Sequence, residues 1–173
     1  GGKFSTFANR VLKVGDSLQS MIPNGTFINK EEAKENTDFV FFAAGSGITP
    51  VLSMIKSVLE VETESHFMLV YGNKSIDDVM FKDEIEGLKN RYLGRFEVFY
   101  LLTRENRGIP LLHGRFTSEK LQCFTKKLID IPSVDECFIC GPEEMIFLIR
   151  DELVAAGLAK DKVHFELFNA GNT

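Results

Sequence analysis

Gly45-Ser46-Gly47-Ile48-Thr49-Pro50 is the stretch of this chain best suited to holding a charged ligand. Glycines at 45 and 47 let backbone amides come close to a bound group. A helix starting behind them presents unpaired N–H groups and the positive end of its dipole. That arrangement asks for an anion, most naturally a nucleotide pyrophosphate. The same residues also fit a tight strand-to-helix turn without a ligand, because a lone Gly-x-Gly is not specific. Four further groups punctuate the chain: Tyr71-Gly72-Asn73-Lys74, Thr103-Arg104-Glu105, Cys140-Gly141-Pro142 and Glu166-Leu167-Phe168. They bring together small, basic and aromatic side chains. Cys137 and Cys140 have C-x-x-C spacing, but Glu136 to Cys140 reads as a strand, where side chains three apart point to opposite faces. That argues against a redox dithiol or half a zinc site. His66, His113 and His164 are isolated and show no ligand spacing, so no metal site is expected.

The elements that must position these groups follow from the pattern. Phe39 to Ala44 is an apolar run of the kind found in a strand buried on both faces. Pro50 suits a first helical position, where its missing N–H costs nothing. Strands are expected at Val40–Ala43, His66–Tyr71, Phe96–Thr103, Glu136–Cys140 and Lys162–Phe168. Helices are expected at Pro50–Glu60, Val79–Tyr92, Thr117–Ile129 and Glu143–Ala156. This alternation predicts an α/β fold with a five-stranded parallel sheet flanked by helices. In such sheets ligands bind at the carboxyl ends of the strands, where all five residue groups fall. The Gly-x-Gly-x-x-Gly fingerprint is absent, since Pro50 takes its last position, and Asp77 and Asp78 follow Asn73-Lys74-Ser75 rather than the second strand directly.

Residues 1–30 read differently. A short amphipathic helix is expected at Phe7–Leu12, a turn at Val14–Ser17 and a strand at Leu18–Ile22. Another turn at Pro23–Gly25 precedes a second strand, Thr26–Ile28. Gly2 and Ser5 could offer an amide and a hydroxyl to a phosphate, or serve as a simple helix cap. Lys30 to Asp38 is charged and poor in apolar residues, and reads as a linker. Over 173 residues the chain is 44% hydrophobic and 26% charged, with a net charge of −5. The charge argues against nucleic acid or an anionic membrane as the main partner. No apolar run approaches the length of a membrane span, and three cysteines suggest a reducing, cytoplasmic setting rather than a disulfide framework.

Taken together, Gly-Ser-Gly-Ile-Thr-Pro, Tyr-Gly-Asn-Lys, Thr-Arg-Glu, Cys-Gly-Pro and the terminal Phe-Glu-Leu-Phe resemble, in order, the NAD(P)-binding half of the ferredoxin–NADP reductase family. The resemblance covers residues 38–168 and is strongest to reductase components of bacterial ring-hydroxylating oxygenases. It implies a Rossmann-like NAD(P)-binding domain, and residues 1–30 resemble the last part of that family's FAD-binding barrel. By this resemblance Gly45, Ser46, Gly47, Ile48, Thr49 and Pro50 would bind the pyrophosphate. Thr103 and Arg104, with Asn73 and Lys74 at the neighbouring strand end, would hold an adenosine 2′-phosphate, favouring NADPH over NADH. Cys140 would sit beside the nicotinamide in a loop shaped by Gly141 and Pro142. Glu166 and Phe168 would lie near the flavin, and Gly2, Ser5 and Lys3 would contact FAD.

Electrons would then pass from NADPH through FAD to a 2Fe–2S centre in a ferredoxin-like domain or oxygenase partner. Two departures stand out. The family's Arg-x-Tyr-Ser-like flavin strand and most of the barrel are absent, as is a cysteine cluster for iron–sulfur ligation. The expectation is therefore a pyridine-nucleotide site with a remnant of the flavin site, in a piece of a longer reductase that does not turn over by itself. A ferredoxin domain following Thr173 is one continuation. The alternatives are the reductase half of an NADH-using flavohaemoglobin-like protein, or a non-catalytic nucleotide-binding module.

Overall fold

The computed structural model describes residues 2–22, 24–27, 36–61 and 63–167. Five strands, β1 (Asp38–Ala44), β2 (His66–Asn73), β3 (Phe96–Leu102), β4 (Glu136–Gly141) and β5 (Val163–Leu167), form one parallel sheet in the order β3-β2-β1-β4-β5. Helices α2 (Ile48–Val61), α3 (Lys82–Arg91), α4 (Ser118–Lys127) and α5 (Glu143–Ala155) make the crossovers, and α1 (Lys3–Arg10) precedes the sheet.

β1 is central, and its alternation divides the core. Phe39, Phe41 and Ala43 face one side with α2 and Ile85 of α3. Val40 and Phe42 face the other, with Leu121 and Phe124 of α4 and the apolar stripe of α5. On the α2 side the rings follow the strand register. Phe39 stacks on Phe67 of β2 with centroids 5.0 Å apart, and Phe41 stacks on Phe138 of β4 at 5.6 Å. Offset stacking of this kind adds about 0.5–1.5 kcal/mol per pair to the area buried. Ile48, Val51, Leu52, Ile55, Val58 and Leu59 place the apolar stripe of α2 on that layer, at the spacing a helical face requires.

The five strands and four following helices stand where the sequence pattern places them, with three differences. The helix expected from Val79 begins at Lys82. Ser75 and Asp78 form a capping box around a 3₁₀ turn at Ile76–Asp78, and Ile76 N–H donates to Glu105 Oε2 at 2.9 Å. The Ser75–Asp78 bonds compete locally with helix formation, and the distant Glu105 holds the turn in place. The chain then passes through a left-handed Phe81 (φ 57°) before α3 starts. Secondly, α1 begins at Lys3 rather than Phe7, and no strand forms at 18–22 or 24–27 among the described residues. Leu18, Met21 and Ile22 are exposed, and β propensity alone cannot hold a strand that lacks a ladder partner. α1 buries none of its residues, and among the described residues of this segment Phe27 alone is packed on the core, edge-on to Phe138 at 5.5 Å. Thirdly, the linker reading overran at its end: Thr37 is buried, with its N–H donated to Ser65 Oγ, and Asp38 opens β1. Ile28, Lys30 and Phe168 lie outside the described residues.

This division predicts unequal costs of truncation. Phe41→Ala should lose about 3–5 kcal/mol of stability, as buried aromatic truncations do. Phe4→Ala, on the exposed face of α1, should stay within about 0.5 kcal/mol. Chemical denaturation of the two variants measures both.

Candidate functional site

The carboxyl ends of β1, β2 and β3 converge on an open cleft of about 810 Å³. Gly45, Asn73, Lys74, Thr103, Arg104 and Pro142 all line it, so six of the residues expected to meet a nucleotide share one wall system. The pairing of β2 with β3 continues past the strands: Thr103 N–H donates to Asn73 O at 3.0 Å and Arg104 N–H to Lys74 O at 2.8 Å. Two cations on neighbouring strands are thereby held side by side, a placement suited to a dianion. Among the described residues, Asn73 Nδ2 is buried without a hydrogen-bond partner. Asn73 stands two positions after Tyr71 on β2 and shares its face of the sheet, where the carboxamide neighbours the Tyr71 hydroxyl.

The glycine turn has two parts with different duties. Gly45 has φ 51° with nothing within 4 Å of where a Cβ would stand, so backbone is presented to open space. At Gly47 a Cβ would lie 2.2 Å from the Cys140 carbonyl oxygen. Gly47 therefore allows the first turn of α2 to rest on the end of β4. The side chain of Ile48 is wholly buried and its N–H is already bonded to the carbonyls of Gly45 and Ser46. Thr49 spends its hydroxyl proton on Ser46 O at 3.0 Å. Ser46 and Thr49 are exposed, and Pro50 stands third in α2 rather than first, still within the turn whose N–H groups lack helical partners.

Several expected residues lie elsewhere. Cys140 is buried on the α2 side, opposite Cys137, so the C-x-x-C pair indeed divides between the two core layers. Glu166 is its register partner on β5. Burial first, and the Glu166 charge second, push the Cys140 thiol up to about 11. Gly141 is buried against Ala44. Gly2, Lys3 and Ser5 are exposed at the start of α1 and meet no part of the cleft lining.

The sequence reading missed the opposite wall, formed by Gly114, Arg115 and Phe116 with Met145 and Leu148 of α5. After β3 the chain returns through a bridge between Leu102 and His113, and Gly114 N–H donates to Leu102 O at 2.8 Å. Lys120 Nζ braces the same loop by donating to the carbonyls of His113 and Arg115. Phe116 packs edge-on to Phe42 and against Gly72, which closes the wall onto β1 and β2. The available signal was the Gly114-Arg115-Phe116 run just before Thr117, the residue that caps α4 by accepting from Lys120 N–H. Asp78 and Glu144 set two carboxylates among the cations. The Ser75 hydroxyl, more than the charges of Lys74 and Arg104, holds the Asp78 carboxyl below its usual range.

Three predictions test this description. At pH 8 iodoacetamide should label half-exposed Cys123 in the folded chain, and Cys137 and Cys140 only after denaturation, as counted by mass spectrometry. The folded state keeps the two buried thiols protonated, whereas an unfolded thiol ionises near 9.0. The contribution of these thiols to stability should accordingly be constant below about pH 8 and be lost as pH rises from about 9 towards 11, as denaturation at a series of alkaline pH values would show. Gly47→Ala must displace backbone, so denaturation should show a loss of about 1–3 kcal/mol.

Residues 41–151 match the family described as the oxidoreductase NAD-binding domain. The chain is 38% identical, over its whole length, to a 1,2-phenylacetyl-CoA epoxidase subunit from Escherichia coli (strain K12), of which it spans 49%. Over 90% of its length it is 33% identical to the ferredoxin reductase component of 3-ketosteroid-9-alpha-monooxygenase from Mycolicibacterium smegmatis, of which it spans 40%. A solved flavohemoglobin from Malassezia yamatoensis, with bound FAD and heme, matches 80% of this chain and 33% of its own, with TM-score 0.65 and 27% identity. The chain thus spans half or less of these relatives. With a parallel sheet, a glycine turn and a cleft at its carboxyl edge, and a family match over more than half its length, the chain belongs to the oxidoreductase NAD-binding domain family.

Proposed function

We propose that this chain is the pyridine-nucleotide module of a flavin-dependent oxidoreductase, and that it prefers NADPH. The observation that carries the coenzyme choice is the pairing of Lys74 with Arg104 at adjacent strand ends beside the glycine turn. In this reading the pyrophosphate lies at Gly45, Ser46 and Gly47, at the positive end of the fourteen-residue helix α2. The 2′-phosphate lies between Lys74, Thr103 and Arg104, with Arg115 across the cleft. Pro142 shapes the wall at the nicotinamide end. NADPH supplies a hydride, and the chain's own task is to bind, orient and exclude water.

The residues present fit the nucleotide better than the flavin. The α1 segment offers Gly2 and Ser5 at the surface and buries nothing, so the flavin contacts proposed for it depend on the rest of the protein. The 1–30 segment is proposed as the end of an FAD-binding unit, and the onward route as FAD to a 2Fe–2S centre in a ferredoxin-like domain or oxygenase component. Support for that route comes from the epoxidase and monooxygenase components among the relatives. The flavohemoglobin match supports a second reading, an NADH-using reductase half with haem as acceptor. The basic pair at Lys74 and Arg104 favours the first.

Calorimetric titration with NADP⁺ and NAD⁺ separates the two. Arg104→Ala should weaken NADP⁺ by roughly ten- to a hundredfold, the cost of about 1.5–3 kcal/mol for a charge-assisted bond, and leave NAD⁺ unchanged. Equal affinities for both nucleotides in the parent chain would move the assignment to NADH.

A further inference from the structure

The hydroxyl of Tyr71 lies beneath the glycine turn, on the face of the sheet opposite the cleft. Tyr71 is fully buried in the α2-side core, and its Oη donates to the Gly45 carbonyl at 2.9 Å. The same carbonyl accepts the N–H of Ile48. The Met80 amide and the Asn73 carboxamide neighbour the hydroxyl, which ties the turn after β1 to the turn after β2. A trans peptide points its C=O and N–H in opposite directions. With the Gly45 carbonyl drawn towards Tyr71, the N–H of Ser46 must point away from the α2-side core. That is the side on which Phe116, Met145 and Leu148 wall the cleft. At φ 51° Gly45 has no side chain to lock its peptide plane, so the orientation depends on what holds the carbonyl.

We infer that Tyr71 is a positioning residue that fixes the Gly45–Ser46 peptide so that the Ser46 amide faces the pyrophosphate of a bound dinucleotide. The inference rests on the nucleotide reading of the cleft and extends it to a residue that touches no ligand. Its effect is confined to the pyrophosphate end. The 2′-phosphate end, at Lys74, Thr103 and Arg104, is held by the two backbone hydrogen bonds just past β2 and β3 and does not depend on the hydroxyl.

The test compares NADP⁺, NAD⁺ and adenosine 2′-monophosphate as ligands for the parent chain and for Tyr71→Phe, by calorimetric titration. Tyr71→Phe should weaken both dinucleotides by about tenfold, the upper range for one neutral hydrogen bond, and leave adenosine 2′-monophosphate unchanged. Tyr100→Phe is the control. It also removes a half-buried hydroxyl, one bonded to Glu86 at 2.9 Å, and should change none of the three affinities. Equal weakening of all three ligands in Tyr71→Phe would mean general loosening and overturn the inference, as would unchanged dinucleotide binding. Failure of the parent chain to bind any of the three would overturn the nucleotide reading itself, and this arm is read before any variant is compared.

Discussion

The first turn of α2 rests directly on the end of β4, and Gly47 is the residue that makes this possible. A single Cβ there would meet the Cys140 carbonyl at 2.2 Å, well inside any tolerable contact. Because the helix start is pressed onto the sheet, its amide end emerges at the carboxyl edge beside Gly45 rather than standing off in solvent. The aromatic layer beneath supports the same placement. Phe39 and Phe67, and Phe41 and Phe138, stack across three strands and give α2 a flat surface on which to seat its apolar stripe. The amide end of α2 is thus set by packing, which is difficult to distort.

The cleft concentrates positive charge in a molecule that is acidic overall. The net charge is −5, yet Lys74, Arg104 and Arg115 face one opening. Backbone pairing beyond β2 and β3 keeps the first two adjacent, at no cost in side-chain contacts. Asp78 and Glu144 offset part of this charge, which leaves room for a ligand that brings its own negative groups to compete for the cations. The N-terminal segment takes no part in this. Its apolar residues Phe4, Val14, Met21 and Ile22 are exposed, and Phe27 meets the core at Phe138 of β4.

Much of the site was legible in the residues. An apolar run ending in Gly-Ser-Gly specifies a buried strand and a turn, and parallel topology then places Asn73, Lys74, Thr103 and Arg104 at the same edge as Gly45. The C-x-x-C pair was correctly divided between faces because the period of a strand is fixed at two. What escaped was non-local. Arg115 and Phe116 reach the cleft only because the long connection after β3 doubles back through His113, which no local pattern announces. The late start of α3 depends on Glu105, twenty-nine positions from the amide it holds. The strands expected near Leu18 failed for a similar reason: strand propensity is conditional on a neighbour, and the described chain supplies none there.

The central claim is that one cleft, between the glycine turn and the basic pair, receives a pyridine nucleotide. Amide ¹H–¹⁵N spectra of the chain during titration with NADP⁺ test it most directly, because they report position as well as affinity. The account predicts saturable shifts at Gly45, Ser46, Asn73, Lys74, Arg104 and Arg115, with the amides of α1 unmoved. Saturable shifts confined to other parts of the chain, or no shifts at millimolar nucleotide, would contradict it.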